Sequence, residues 1–201
     1  MSLDKSLIET FRKVTSRAAL AASKFRGLNN KIGADKAAVD VMRTELNNID
    51  MFGRVVIGEG ELDEAPMLYI GEELGTGKGQ KIDIAVDPVE GTNFVAKNLP
   101  GSIAVLAISE KNNLLNAPET YMEKIAVGKE VETGTVDLDF SLEKNLKNLA
   151  DATNKPLCDL TVCLLERERH TEIIQTLDKF KVKKKLISDG DVSGALYVTD
   201  K

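Results

Sequence analysis

Two hydrophobic periods alternate along the chain. Leu7, Phe11, Val14, Ala18, Ala21 and Ala22 recur every three or four positions, which predicts a first helix over residues 4–25 with one apolar stripe turned to a core. A turn-rich break over residues 27–33 follows, and Ala38, Met42, Leu46 and Ile49 then mark a second helix over residues 34–49. The pattern next shortens. Residues 54–57 form an apolar strand, and Ile82, Ile84 and Val86 form another that Pro88 should end, because proline removes a backbone donor and restricts Asp87 before it. Residues 102–108 suit a buried strand, residues 131–138 an edge strand, and residues 141–152 a third helix capped by Ser141. Glu72, Glu73 and residues 75–79 read as solvated surface.

Composition shifts near Asn154-Lys155-Pro156. A strand over residues 160–165, a helix over 171–180, a strand over 185–188 and a helical start after Asp191 then alternate as a parallel α/β unit does. The whole reads as an α/β protein: an α+β first domain over residues 1–155, and the start of a second α/β domain over residues 156–201.

With 42% hydrophobic and 29% charged residues, the 201-residue chain has the composition of a soluble globular protein. A net charge of −5 argues against broad nucleic-acid or anionic-membrane binding while leaving room for a local basic pocket. No run reaches the length of a membrane span, and the N-terminal segment lacks a signal-peptide core, so the expected location is the cytoplasm. The two cysteines, Cys158 and Cys163, are too few for a disulfide framework or zinc site and read as reduced core residues. His170, the only histidine, has no soft-metal neighbours and is given a structural role.

Chemistry gathers where strands end. Asp87 and Glu90 flank one turn, close enough to share a hard divalent cation, and the Val89 carbonyl between them is an oxygen of the kind Mg²⁺ or Mn²⁺ prefers. Gly91 lets backbone approach an anion, and a helical turn starting at Thr92 would offer N–H groups to a phosphate and a hydroxyl to a water. Asp-Pro followed by Gly is also ordinary turn vocabulary. A second strand, however, ends in a second acidic run, Gly58-Glu-Gly-Glu-Leu-Asp-Glu64, and clustered carboxylates repel unless a cation sits among them. Asp35, in the first turn of the second helix, is explained as readily by the helix dipole, and Asp63 and Glu64 by capping. Arg167 and Arg169, one residue apart at a strand end, can point together and clamp a phosphate, or form a surface charge run. Asp189-Gly190-Asp191 closes the next strand at the edge where open α/β sheets bind ligands, although an Asp-Gly turn with an N-cap accounts for it too.

Asp87-Pro-Val-Glu-Gly-Thr92 resembles the metal-binding signature of the lithium-sensitive, metal-dependent sugar and inositol phosphatases. Longer runs narrow the resemblance: the stretch from Val56 to Glu73, Asn116-Ala-Pro-Glu-Thr-Tyr-Met-Glu-Lys124 and Ile187-Ser-Asp-Gly-Asp-Val192 are similar to the class II fructose-1,6-bisphosphatases of bacteria. That family includes a cyanobacterial branch accepting sedoheptulose-1,7-bisphosphate, which Asn93 resembles. The resemblance implies a layered sugar-phosphatase fold, Mg²⁺ or Mn²⁺, a sugar bisphosphate substrate, and hydrolysis of its 1-phosphate in gluconeogenesis or the Calvin cycle. By resemblance, Asp35, Glu59, Asp87, Val89 and Glu90 hold metal, and Asp35, Asp63 and Thr92 serve catalysis. Gly91, Thr92, Tyr121, Arg167, Arg169, Asp189 and Asp191 bind substrate, with the arginines on the distal phosphate. Glu168 stands where the family has proline between the two basic residues, which weakens that transfer. The family continues past Lys201 and supplies a further glutamate ligand, so the second domain is expected to be truncated and turnover slow. Two alternatives stay open: a weakly active or non-catalytic metal and sugar-phosphate binder, and an inositol or nucleotide phosphatase of the same superfamily. Unpaired sheet edges in an incomplete domain favour a homo-oligomer.

Overall fold

Apolar stripes on the first two helices meet because each is too narrow to be buried alone. In the computed structural model, which describes residue 3 and residues 6–59, 67–117 and 120–199, the first helix is α1 (Ser6–Ser23). Its Phe11, Val14, Ala18 and Ala22 are buried against Ala38, Met42 and Leu46 of α2 (Lys31–Asn47). Helix α2 begins earlier than its apolar pattern suggests, since the Asn30 side chain accepts from the Gly33 N–H as an N-cap. Asp35 therefore lies beyond the first turn, and the dipole no longer accounts for it.

Four strands follow: β1 (Met51–Ile57), the two-residue β2 (Glu73–Leu74), β3 (Gln80–Glu90) and β4 (Ile103–Glu110), in the order β2-β1-β3-β4. β1 runs parallel to β3, while β2 and β4 are antiparallel to their neighbours. Met51, Val55, Ile82, Ile84 and Val86 join the helices in one core, with Ala104, Leu106 and Ile108 of β4 packed against it. The short α3 (Thr92–Ala96) stands between β3 and β4.

Pro88 does not end its strand. β3 continues to Glu90, and the ladder absorbs the proline by a register shift: Asp87 lies opposite Val105 and Glu90 opposite Ile103. A bulge leaves one residue out of the pairing, which is where a residue lacking an N–H is tolerated.

The chain divides into two units, Met1–Thr120 and Tyr121–Lys201, earlier than the composition shift suggests. The reason is packing: Leu146 and Ala150 of α4 (Leu142–Thr153) share a core with Leu160, Leu177 and Val182. Ser141 caps α4 by accepting from the Lys144 N–H. The rest of the unit is β5 (Thr161–Leu165), α5 (Thr171–Lys179), β6 (Lys183–Ile187) and α6 (Asp191–Leu196), with β5 and β6 parallel as expected.

Three expectations need correction. Residues 131–138 form turns instead of an edge strand: Gly134 adopts a positive φ of 88°, and backbone groups of Thr135 and Asp137 bond to the side chains of Asn148 and Asn145. Cys158 is exposed and Cys163 half-buried, both as free thiols, because Cys158 falls on a 3-10 turn before the strand. Glu72 is buried at 7% exposure, held by an ion pair with Arg43. Among the described residues no helix is long and apolar enough to cross a membrane.

Candidate active site

Parallel pairing brings the carboxyl ends of β1 and β3 to the same edge, so Glu59, from the first acidic run, comes to the edge where the Asp87–Glu90 turn lies. Glu59 follows β1, and Asp87 and Glu90 close β3. Val105 and Ile103 are two apart on β4 and share a face, so the bulge places Asp87 and Glu90 on one face as well. Their carboxyl groups are hydrogen-bonded to each other, and the Val89 N–H donates to Asp87 Oδ1 at 3.0 Å. Gly91 then turns the chain with φ 80°, and a side chain there would meet the Phe94 ring at 2.8 Å; this left-handed step starts α3 at Thr92.

The electrostatics are those of an acid-crowded site. Burial pushes the Asp87 carboxyl up to about 6; repulsion from Glu59 and Asp35 adds to the rise, while the hydrogen bonds with Glu90 and from Val89 oppose it. Burial raises Asp35 also, and its Oδ1 is a buried oxygen with no hydrogen-bond partner. Such an oxygen is costly unless something positive meets it. Among the described residues no three carboxylate, imidazole or thiol side chains already converge on one ion position. Hard oxygen donors in ones and twos suit Mg²⁺, which keeps several waters and binds through one or two carboxylates with phosphate oxygens completing its shell. The donor set fits the metal in kind.

In the second unit Arg169 and Tyr121, two of the expected substrate residues, meet each other, and Arg167, Asp189 and Asp191 have separate partners. The Arg169 guanidinium lies over the Tyr121 ring, 4.2 Å from its centre, and Lys124 Nζ stands 3.5 Å from Asp191 Oδ2. Asp189 Oδ1 accepts from the Gly190 N–H at 3.1 Å. Arg167 bonds the Glu166 and Ser188 carbonyls at 3.0 and 2.7 Å, across the ends of β5 and β6. The two guanidinium groups thus go to different partners. A 3-10 turn over Glu168–His170 breaks the alternation that would have pointed them together. His170 Nδ1 lies 2.6 Å from the Leu165 carbonyl, in keeping with a structural role.

The sequence profile described as bacterial fructose-1,6-bisphosphatase, glpX-encoded, matches residues 5–201. The chain belongs to that family. It is 48% identical over 192 residues to the fructose-1,6-bisphosphatase 1 class 2 of Escherichia coli (strain K12), an alignment covering 96% of this chain and 57% of that protein. It is 46% identical over 206 residues to the D-fructose 1,6-bisphosphatase class 2/sedoheptulose 1,7-bisphosphatase of Synechococcus sp. (strain JA-2-3B'a(2-13)), covering 96% and 59%. A Prochlorococcus marinus (strain MIT 9312) protein with the same description is 46% identical over 194 residues. The chain spans a little under three fifths of these curated relatives.

Of the expected site residues, Asp35, Glu59 and Glu90 lie close enough to Asp87 in the first unit to act on its carboxyl, and Tyr121 meets Arg169 in the second. Asp63 lies outside the described residues. Sequence reasoning missed Arg43, Glu72 and Lys124. For Glu72 a signal existed: Glu72 and Leu74, two apart, are both buried, while Glu73 between them is exposed. Period two applied across that triplet would have buried Glu72.

Proposed function

We propose that the chain is the metal- and phosphate-handling part of a cytoplasmic, homo-oligomeric sugar bisphosphate phosphatase. Its substrate is fructose-1,6-bisphosphate, with sedoheptulose-1,7-bisphosphate accepted as well, and it removes the 1-phosphate. The observation that carries this reading is the buried Asp87 carboxyl at the end of β3, bonded to Glu90 and repelled by Glu59 and Asp35, a repulsion that a cation relieves. Asp35, Glu59, Asp87, Glu90 and the Val89 carbonyl would hold Mg²⁺ or Mn²⁺, whose bound form lowers the pKa of water and neutralises charge on phosphoryl oxygens.

The chain's own residues supply the rest. Gly91 and Thr92 admit a phosphate against the backbone, and the Thr92 hydroxyl with Asp35 orients the attacking water; Asp63 is assigned to the same step. Arg167 and Arg169 hold the distal phosphate, and Tyr121, Asp189 and Asp191 the sugar. Phosphate release from the two sugar bisphosphates, from an inositol monophosphate and from a nucleoside monophosphate, with Mg²⁺ and with Asp87→Asn as control, tests the reading. Release favouring the bisphosphates and lost in the variant is expected. Preference for the inositol ester, or release unaffected by Asp87→Asn, overturns it.

A further inference from the structure

The residue that fixes the acidic edge is one that carries no candidate chemistry itself. Arg43 sits on α2, eight positions after Asp35 and so about 12 Å further along the helix. Its Nε donates to Glu72 Oε1 at 2.6 Å, and its Nη2 donates to Glu72 Oε2 at 3.1 Å and to the Met67 carbonyl. Glu72 Oε2 accepts also from the Tyr69 N–H at 3.3 Å. One guanidinium therefore holds both ends of the segment 67–72.

That segment in turn holds Glu59. The Leu68 carbonyl accepts from the Glu59 N–H at 3.1 Å, while Val55 N–H bonds the Glu72 carbonyl at 3.0 Å and Gly71 N–H the Val55 carbonyl at 2.8 Å. Leu68 is fully buried in the core, and its carbonyl crosses so near Gly58 that a side chain there would stand 2.2 Å from it. Gly58 is thus required by the approach that positions Glu59. A bidentate pair between a half-buried arginine and a buried glutamate is conspicuous at this point, because a carboxylate taken out of water repays its desolvation only when geometry and additional hydrogen bonds are good. Replacing it by apolar residues would serve packing as well, so packing alone does not explain the pair.

We propose that Arg43 is a positioning residue: by clamping Glu72 and the Met67 carbonyl it fixes the segment on which Glu59 hangs, and so sets the spacing between Glu59 and Asp35, which its own helix carries. This rests on the reading of Glu59 as a metal ligand. Amide hydrogen exchange in the 201-residue chain tests the clamp without metal. In Arg43→Met, exchange at the Glu59 amide relative to that at Ile84, inside β3, should accelerate tenfold or more; Arg43→Lys should recover this only in part, since an ammonium lacks the fork. If Arg43→Met does not fold, Glu72→Gln, which keeps the shape and removes the charge, takes its place with the same expectation. Equal acceleration at both amides, or none at Glu59, overturns the proposal.

The second measurement is Mn²⁺ affinity by electron paramagnetic resonance. Arg43→Met should weaken it about tenfold, whereas Arg17→Met, which removes the exposed pair with Glu45, two positions beyond Arg43 on the same helix but on no segment that holds Glu59, should not. A loosened Glu59 amide with unchanged affinity shows that Arg43 does not position a ligand and overturns the proposal too. Failure of the unmodified chain to bind Mn²⁺ sinks the metal reading of Glu59, and the exchange ratio then decides on the clamp by itself.

Discussion

The carboxyl ends of two parallel strand pairs, β1 with β3 in the first unit and β5 with β6 in the second, make an instructive contrast. Both deliver charged residues to a sheet edge. In the first unit the charges are alike and partly buried: Glu59 and Asp35 add to the rise of the Asp87 pKa, and a buried Asp35 oxygen has no hydrogen-bond partner. In the second they are of both signs and mostly exposed, and partners are already at hand: an aromatic ring for Arg169, Asp191 for Lys124, and backbone carbonyls for Arg167. A site that lacks a counter-charge is stabilised by its ligand, while a site already neutralised gains little stability when its ligand arrives. The first unit should answer strongly to metal, and the second should show its part in recognition only when a bisphosphate is offered.

The largest expected effect tests the first half of that contrast. Mg²⁺ or Mn²⁺ at about one hundred times its Kd adds roughly 2.7 kcal/mol to a native state that alone binds it, a Tm rise of roughly 5–10 °C for a chain of this size. Thermal unfolding followed by circular dichroism should show that rise, and Asp87→Asn should abolish it. An unmodified chain whose melting is indifferent to millimolar metal removes the distinction between the two edges.

Next in size is recognition at the second edge. Arg169→Ala should weaken binding of fructose-1,6-bisphosphate roughly tenfold, the scale of a charged hydrogen bond, and leave inorganic phosphate binding nearly unchanged. Calorimetry with Mg²⁺ present reads both. Equal losses would detach the arginine from the distal phosphate.

Smaller, and specific to the first edge, is a pH effect without metal. Asp87 titrates near 6 in the folded chain and near 3.8 unfolded, so the native state holds this proton more tightly between those values. Its contribution to stability is therefore least unfavourable below pH 3.8, worsens as pH rises, and reaches its full cost above 6. Asp87→Asn should accordingly stabilise the metal-free chain at pH 7, with the advantage shrinking as pH falls toward 4 in urea unfolding series. An advantage independent of pH would assign it to something other than the carboxylate.

The smallest effect closes the contrast. Lys124 and Asp191 are 59% and 44% exposed, so Lys124→Ala should cost less than about 1 kcal/mol and nothing measurable in 0.5 M salt. A larger, salt-resistant loss would make the second edge as constrained as the first.

Much of this was legible from residue order. Period and turn chemistry located α1 and α2, the Ser141 cap and the parallel β5–β6 pair, because local propensity and burial agree there. The nearness of the acids at 59, 87 and 90 was legible in part, since two apolar strands that each end in carboxylates bring those charges to one edge once they pair in parallel. What stayed hidden depended on partners distant in sequence. Arg43 looks like one more charge beside the apolar stripe of α2 until Glu72 is seen facing it, and Arg167 and Arg169 diverge because of a 3-10 turn that no alternation rule anticipates. The supposed strand over 131–138 failed for a related reason: two asparagine side chains on α4 take up backbone groups that a ladder would have used.

Pro88 has a consequence for the uniformity of the folded population. Without an N–H at that position a straight ladder through β3 would miss a bond, so only the shifted pairing with β4 is fully competitive. Alanine there restores the donor and makes a second, unshifted alignment accessible, in which residues 87 and 90, three apart, look to opposite sides. Pro88→Ala should therefore convert one species into two, visible as doubled amide resonances along residues 103–106, with only one of the pair perturbed by added Mn²⁺. On that view the imino acid acts as a selector between near-degenerate molecules of the same sequence, and the chemistry of the acids on either side depends on that selection having been made.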